Sequence, residues 1–178
     1  MGNVPAAAIT GGATWAVVQS RFGAFQLFGN EEAVTRLILP GTSAGPPATG
    51  GGRGGADAPE LLWRAARQLE EYLGGGRRTF DVPLRPVGTP FQQEVWRGLR
   101  AVGYGRTVTY AELTALIGRP TAVRAVGQAN AANPIPIFLP CHRVVASGGQ
   151  LGGYAGGTAL KQALLGLEAV AVPPGRRT

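Results

Sequence analysis

A chain of 178 residues is long enough for one medium domain or two small ones, and a hydrophobic share of 44% excludes a disordered tail despite 29 Gly and 14 Pro. One Cys and one His exclude an internal disulfide and leave too few ligands for a Cys/His zinc site, so neither metal nor cofactor is expected. The formal charge of +7 is uneven: residues 1–85 carry eight basic and seven acidic side chains and residues 86–178 nine and three, so the second half either faces an anionic partner such as nucleic acid or presents a solvated basic face.

No basic segment leads into a long apolar run near Met1, and Ala6 stands where a myristoylation motif wants Ser or Thr, so a cytoplasmic protein with no membrane partner is expected. Two short strands are predicted at residues 14–19 and 24–28, joined by a turn, with a third at 33–39. From 40 to 59, eleven of twenty residues are Gly or Pro, a composition that reads as a mobile surface loop. Pro59 then opens a helix to about Leu73, with Leu62, Ala66 and Leu69 on one face and Gly74-Gly75-Gly76 as its stop. Alternating Phe80, Val82 and Leu84 make residues 77–88 an extended connector.

The second half is mainly helical. Thr89-Pro90-Phe91-Gln92 combines a capping Thr, Pro at the first helical position and a Gln three residues after the cap. Phe91, Val95, Trp96, Leu99 and Val102 follow on one stripe, stopped by Gly103 and Gly105. Thr109-Tyr110-Ala111-Glu112 is a second capping box, opening a helix predicted to face Leu113, Leu116 and Ile117 inward before Gly118. Pro120 and Thr121 are predicted to start the next helix, which Asn133-Pro134 halts. Helix, short Gly/Pro turn, helix over 110–132 fits an ordinary helical hairpin or a DNA-reading helix-turn-helix. The second of these helices carries Arg124 as its only charge, among Ala122, Ala125, Gly127, Ala129, Ala131 and Ala132. Such small side chains serve close approach to a groove or tight helix packing.

A proline-bounded apolar run, Asn133 to Leu139, then leads to Pro140-Cys141-His142-Arg143-Val144. A single Cys is commonly an inert core residue, but a thiolate nucleophile needs a base or a positive charge nearby, and His142 and Arg143 are its chain neighbours. In the last helix Leu160, Leu164 and Leu167 face inward, and Glu168 near the C-terminal end opposes the helix dipole. It is a surface residue or has a compensating partner.

The run Pro140-Cys141-His142-Arg143-Val144, with Tyr110, Arg124-Ala125-Val126-Gly127, Asn133-Pro134 and Tyr154-Ala155-Gly156-Gly157, resembles the O6-alkylguanine-DNA alkyltransferases, the methylated-DNA-protein-cysteine methyltransferases. The likeness covers residue 91 to about 170 nearly without gaps, and residues 1–39 only in outline. It implies an α/β N-terminal domain over 1–85, an RNase H-like small sheet plus helix, followed over 86–178 by a mainly α, winged-helix-like domain holding the helix-turn-helix. It implies that Cys141 takes an alkyl group irreversibly from O6 of guanine in double-stranded DNA, each molecule acting once and as a monomer. By the same resemblance, His142 is expected to remove the thiol proton through a water, Glu168 to orient the imidazole, Tyr110 to protonate the departing base and Asn133 to brace the turn before the cysteine. The resemblance also implies that Arg124 fills the gap left by the everted nucleotide while Ala122, Ala125, Gly127 and Tyr110 meet the minor groove, and that Val144, Tyr154, Ala155 and Gly156 shape the alkyl pocket. Ala155 stands where several relatives carry Ser, which removes a hydroxyl near O6. Arg97, Arg100, Arg106 and Arg119 are candidates for phosphate contacts.

Two other classes fit parts of the pattern. A lesion-binding module would use the same helix pair with Cys141 incidental, and a cysteine hydrolase would use Cys141 and His142 but lacks an oxyanion-loop signature.

Overall fold

The computed structural model describes residues 14–42 and 57–170, so most of the Gly/Pro-rich loop lies outside the described residues. Strands β1 (Thr14–Ser20), β2 (Gly23–Gly29) and β3 (Val34–Ile38) form an antiparallel sheet in the order β1-β2-β3. Each expected strand is present within a residue or two of its predicted bounds. Alternation places Ala16, Val18, Phe25 and Leu27 on one face, and helix α1 (Glu60–Leu73) covers that face with Leu62, Ala65, Ala66, Leu69 and Tyr72, all buried.

The connector runs beside the open edge of this sheet. Val34 N–H donates to Pro83 O and Arg85 N–H to Val34 O, both at 2.9 Å, while Leu37 N–H donates to Pro134 O at 2.9 Å. These bonds occupy edge donors that would otherwise be unpaired, and they tie β3 directly to the segment that leads to Cys141. Val82 is buried and Phe80 and Leu84 half-buried, as their alternation predicts.

Helix α2 (Pro90–Leu99) carries the complete Thr89/Gln92 capping box. Trp96 Nε1–H donates to Ala129 O at 2.8 Å, tying α2 to the helix that holds Arg124. After strand β4 (Val108–Thr109) comes α3 (Tyr110–Leu116), capped by Thr109 and Glu112. Its C-terminus closes with Gly118 N–H on Ala115 O at 3.0 Å and Arg119 N–H on Thr114 O at 2.8 Å, Gly118 having φ 71°. That pair of bonds needs a left-handed residue, which glycine supplies without a Cβ clash.

Two predicted details differ. Leu116 is 54% exposed, and Thr114 takes the inward position instead, its hydroxyl satisfied by Ala111 O at 2.6 Å. Ile117, as predicted, is half-buried and packed on the core beside Gly98. Helix α4 (Val123–Ala131) starts later than Pro120-Thr121 predicts, because residues 119–122 form a turn closed by Ala122 N–H on Arg119 O. Strand β5 (Val144–Val145) pairs in parallel with β4, and α5 (Gly157–Val170) buries Leu160, Leu164 and Leu167 as expected.

Helices α2 and α3 approach closely at Gly98, where an added Cβ would come within 2.4 Å of Ile117 Cγ2. Isoleucine is stiff at χ1, so the neighbour cannot swing clear. Gly98→Ala is expected to cost about 1–3 kcal/mol of unfolding free energy, read as a lower urea midpoint. An unchanged midpoint would show that the helix pair slides at no cost.

Candidate active site

The chain between α4 and β5 is held by two tight turns. Phe138 N–H donates to Pro136 O at 3.0 Å across Ile137, whose φ is 73°. A β-branched residue in that region stores about 1–3 kcal/mol of strain, which the surrounding packing has to hold, and Ile137 is 1% exposed. Cys141 N–H then donates to Leu139 O at 2.7 Å across Pro140, at φ −79° and ψ 62°. Asn133 braces the whole loop: its Nδ2 donates to Leu139 O at 2.7 Å and its Oδ1 accepts from Ile135 N–H at 3.0 Å. Cys141–Arg143 forms one turn of 3₁₀-helix before β5.

Cys141 lies at a pocket of about 270 Å³ lined by Tyr110, Asn130, Ala131, Asn133, Pro136, Cys141, Gly153, Tyr154 and Ala155. Among the predicted site residues, the fold thus brings Cys141, Asn133, Tyr110, Tyr154 and Ala155 to one cavity. Val144 and Gly156 do not line it. The Val144 side chain is fully buried in the core, and Gly156 sits where an added Cβ would meet Leu160 Cδ2 at 2.6 Å and Leu39 Cδ1 at 3.1 Å. Strand pairing turns Val144 inward, and Gly156 serves the close approach of the last loop to the N-terminal sheet.

His142 and Glu168 form a buried polar group, 0% and 1% exposed. Glu168 Oε1 accepts from His142 Nε2 at 2.8 Å and from the Tyr72 hydroxyl at 2.7 Å, and both Glu168 oxygens accept from Arg143. Gly105 N–H caps Oε2 at 3.1 Å. Glu168 is therefore no surface residue but the acceptor for a cluster of donors. Burial pushes its carboxyl up, yet the hydrogen bonds and charges of His142 and Arg143 outweigh burial and hold it at about 2. Burial lowers the basicity of His142 despite the neighbouring carboxylate, which favours the neutral imidazole. With Nε2 on Glu168, Nδ1 has no hydrogen-bond partner among the described residues.

The sequence offered Arg143 as a positive charge for the thiol. In the fold its guanidinium is taken by Glu168 and by Val102 O, the latter at 2.6 Å. Lys161 is the cation that favours the Cys141 thiolate instead. Its ammonium is fully buried, donating to Val144 O at 2.7 Å and also to the carbonyls of Leu151 and Gly153. Those bonds join β5 to the loop that carries Gly153 and Tyr154. Burial pushes the Cys141 thiol up to about 11, against the opposing pull of Asn133, its own and His142's backbone N–H groups and Lys161. At rest the sulfur is protonated, and its proton must leave as a bond forms.

Beside the pocket, α4 turns an exposed face outward. Arg124 and Ala125 are exposed, Ala122 and Gly127 half-buried, and an added Cβ on Gly127 would only touch the Tyr110 ring at 3.9 Å. Arg97, Arg100 and Arg106 are also exposed, whereas Arg119 is engaged by Glu94 through two bonds of 3.2–3.3 Å. Sequence reasoning missed Tyr72, Lys161 and Asn130. Tyr72 falls three residues after Leu69 on the apolar stripe of α1, and Lys161 is the only lysine among sixteen arginines. Both signals were in the chain without pointing to a role. The described residues hold no cluster of three metal-ligating side chains, and no helix among them is long and apolar enough to cross a membrane.

The family model for the 6-O-methylguanine DNA methyltransferase DNA-binding domain matches residues 90–170. The constitutive methylated-DNA-protein-cysteine methyltransferase of Bacillus subtilis is 50% identical over 115 residues, spanning 64% of this chain and 69% of that protein. Its counterpart from Methanosarcina barkeri is 44% identical over 154 residues, 85% of this chain and 94% of the relative. Among solved structures, Mycobacterium tuberculosis OGT in complex with DNA superposes with a TM-score of 0.80 at 38% identity, covering 90% of this chain and 96% of that one. The likeness in sequence to the M. barkeri protein and in fold to the M. tuberculosis structure shows the family: the chain belongs to the methylated-DNA-protein-cysteine methyltransferase family.

Proposed function

We propose that this protein repairs alkylated DNA by moving the alkyl group from O6 of guanine to its own Cys141, once per molecule. The observation that carries the reading is a lone cysteine at a pocket beside an exposed small-residue helix face, backed by a buried histidine whose Nε2 is held by a carboxylate. An alkyl carbon on oxygen is a weak electrophile, so the sulfur attacks as thiolate. The thiol proton passes through a water to His142 Nδ1, which has no hydrogen-bond partner among the described residues, while Nε2–H stays on Glu168. The S–C bond forms as the C–O bond breaks, and the departing guanine takes a proton from the Tyr110 hydroxyl. Burial raises the Tyr110 pKa, which keeps that proton available at neutral pH. Asn133 and Lys161 favour the thiolate at the moment it forms.

A stacked base hides its O6, so the nucleotide is rotated out of double-stranded DNA and Arg124 takes its place in the stack. The face bearing Ala122, Ala125 and Gly127 is low enough to enter the minor groove, whose degenerate readout suits a search for damage in any sequence. The DNA complex of the M. tuberculosis relative supports a DNA partner. In this reading the protein acts as a cytoplasmic monomer, its division at residue 85 separating an RNase H-like supporting domain from a winged-helix-like domain that binds and reacts.

Intact-protein mass spectrometry after incubation with a duplex containing O6-methylguanine tests the proposal. One added methyl group is expected on the wild type, mapped to Cys141, and none on Cys141→Ser. Retained duplex binding with an unmodified sulfur would mean a lesion-binding module instead.

A further inference from the structure

We propose that Tyr72, on the N-terminal helix α1, is a positioning residue for alkyl transfer, its hydroxyl fixing the Glu168 carboxylate that orients His142. The inference rests on the reading of Cys141 as alkyl acceptor. Tyr72 is fully buried, its ring 5.4 Å from Phe80 and edge-on to Tyr104 at 6.2 Å. Ring packing alone would be served by phenylalanine, but the hydroxyl donates to Glu168 Oε1 at 2.7 Å, the length of a charge-assisted bond. The same oxygen receives His142 Nε2–H at 2.8 Å, and the Tyr72 oxygen lies 3.3 Å from that nitrogen. Tyr72, His142 and Glu168 thus form a closed triangle in which Tyr72 comes from the other half of the chain.

The triangle has two effects on the base. Tyr72 removes one direction in which the carboxylate can swing away from Nε2, so the imidazole keeps its orientation. It also draws charge from the oxygen that faces His142, so the imidazole is less readily protonated. The other charged or titratable groups around this centre are Arg143 and Cys141 on the 3₁₀ turn, Lys161 on α5, Tyr104 after α2 and Tyr154 in the last loop, with Arg78 of the connector over the Tyr104 ring at 5.7 Å. Deleting only the Tyr72 hydroxyl leaves each of these side chains in the chain, and it also removes one of the smaller causes that raise Tyr154. Burial and the adjacent carboxylate keep the phenol protonated, so Tyr72 remains a donor across the working range.

The test is Tyr72→Phe in the full chain, with transfer rates from free O6-benzylguanine and from O6-methylguanine duplex followed over pH. Loss of one hydrogen bond to a charged group predicts a rate about tenfold lower on both substrates. The acid limb of the profile is expected to move up by about half a pH unit, because His142 then faces the undiluted carboxylate charge. Phe80→Leu, which disturbs the ring packing but not the hydroxyl, is expected to lower the thermal midpoint and keep the wild-type pH profile. A Tyr72→Phe profile superimposable on wild type, or a shift equally large in Phe80→Leu, overturns the positioning role. A wild type that transfers no alkyl group overturns the function itself, so the two failures are distinct.

Discussion

Glu168→Leu is expected to be the most damaging single substitution outside the nucleophile, lowering unfolding free energy by about 3–5 kcal/mol. Its size follows from what the carboxylate compensates. Arg143 is 6% exposed and spends Nε and Nη2 on Glu168, so removing the carboxylate leaves a buried guanidinium with one carbonyl partner. The Tyr72 hydroxyl, His142 Nε2–H and Gly105 N–H lose their acceptor at the same time. Against the roughly 5–15 kcal/mol that holds a typical domain together, such a loss is visible in any denaturation experiment. Glu168→Gln, which keeps shape and one acceptor, is expected to fold and to transfer alkyl groups slowly.

The same residue sets the acid stability. The Glu168 carboxyl is held at about 2 in the folded chain against an ordinary 4.5. With a depressed folded value, its contribution is complete above the unfolded pKa and disappears as pH falls from there toward 2. His142 adds in the same sense: burial lowers its pKa, so as pH drops through 6.5 the unfolded chain takes up the proton first. Urea midpoints measured across the acid range are expected to fall steadily in the wild type and less steeply in Glu168→Gln. Parallel curves for the two proteins would show that the carboxylate is not the group being titrated.

Arg124→Ala is expected to slow alkyl transfer from duplex DNA about a hundredfold while leaving the reaction with free O6-benzylguanine near the wild-type rate. The factor follows from the few kcal/mol needed to unstack and unpair a nucleotide, which an inserted side chain helps to hold open. Arg124 is exposed on α4 and lies outside the lining of the Cys141 pocket, so its loss leaves the reacting groups in place. A free base needs no eversion and is indifferent to the substitution. Equal losses on both substrates would place Arg124 in the chemistry rather than in base extrusion. Salt dependence gives a second reading, since one fewer cation against the backbone or groove reduces the slope of affinity with salt by about one.

Several parts of this protein were legible because they depend on neighbours in the chain. The two Thr capping boxes, at 89–92 and 109–112, hold with both reciprocal bonds formed, since a cap needs only residues within one turn. The three strands and the alternating connector were readable for the same reason. Leu116 and the start of α4 were not. Each was decided by which partner helix or turn occupied the adjacent space, and periodicity is silent about that.

Local sequence therefore determined the elements, their caps and the presence of a single candidate nucleophile next to a single histidine. Only the tertiary structure decided what those groups do to one another. It spent Arg143 on Glu168, brought Lys161 from α5 to the carbonyls around Cys141, and carried Tyr72 across from the N-terminal helix to the carboxylate. The reason is electrostatic. A charge or hydroxyl taken out of water must find its partner wherever packing delivers one, and the Tyr72–Glu168 and Arg143–Glu168 contacts join residues 96 and 25 positions apart.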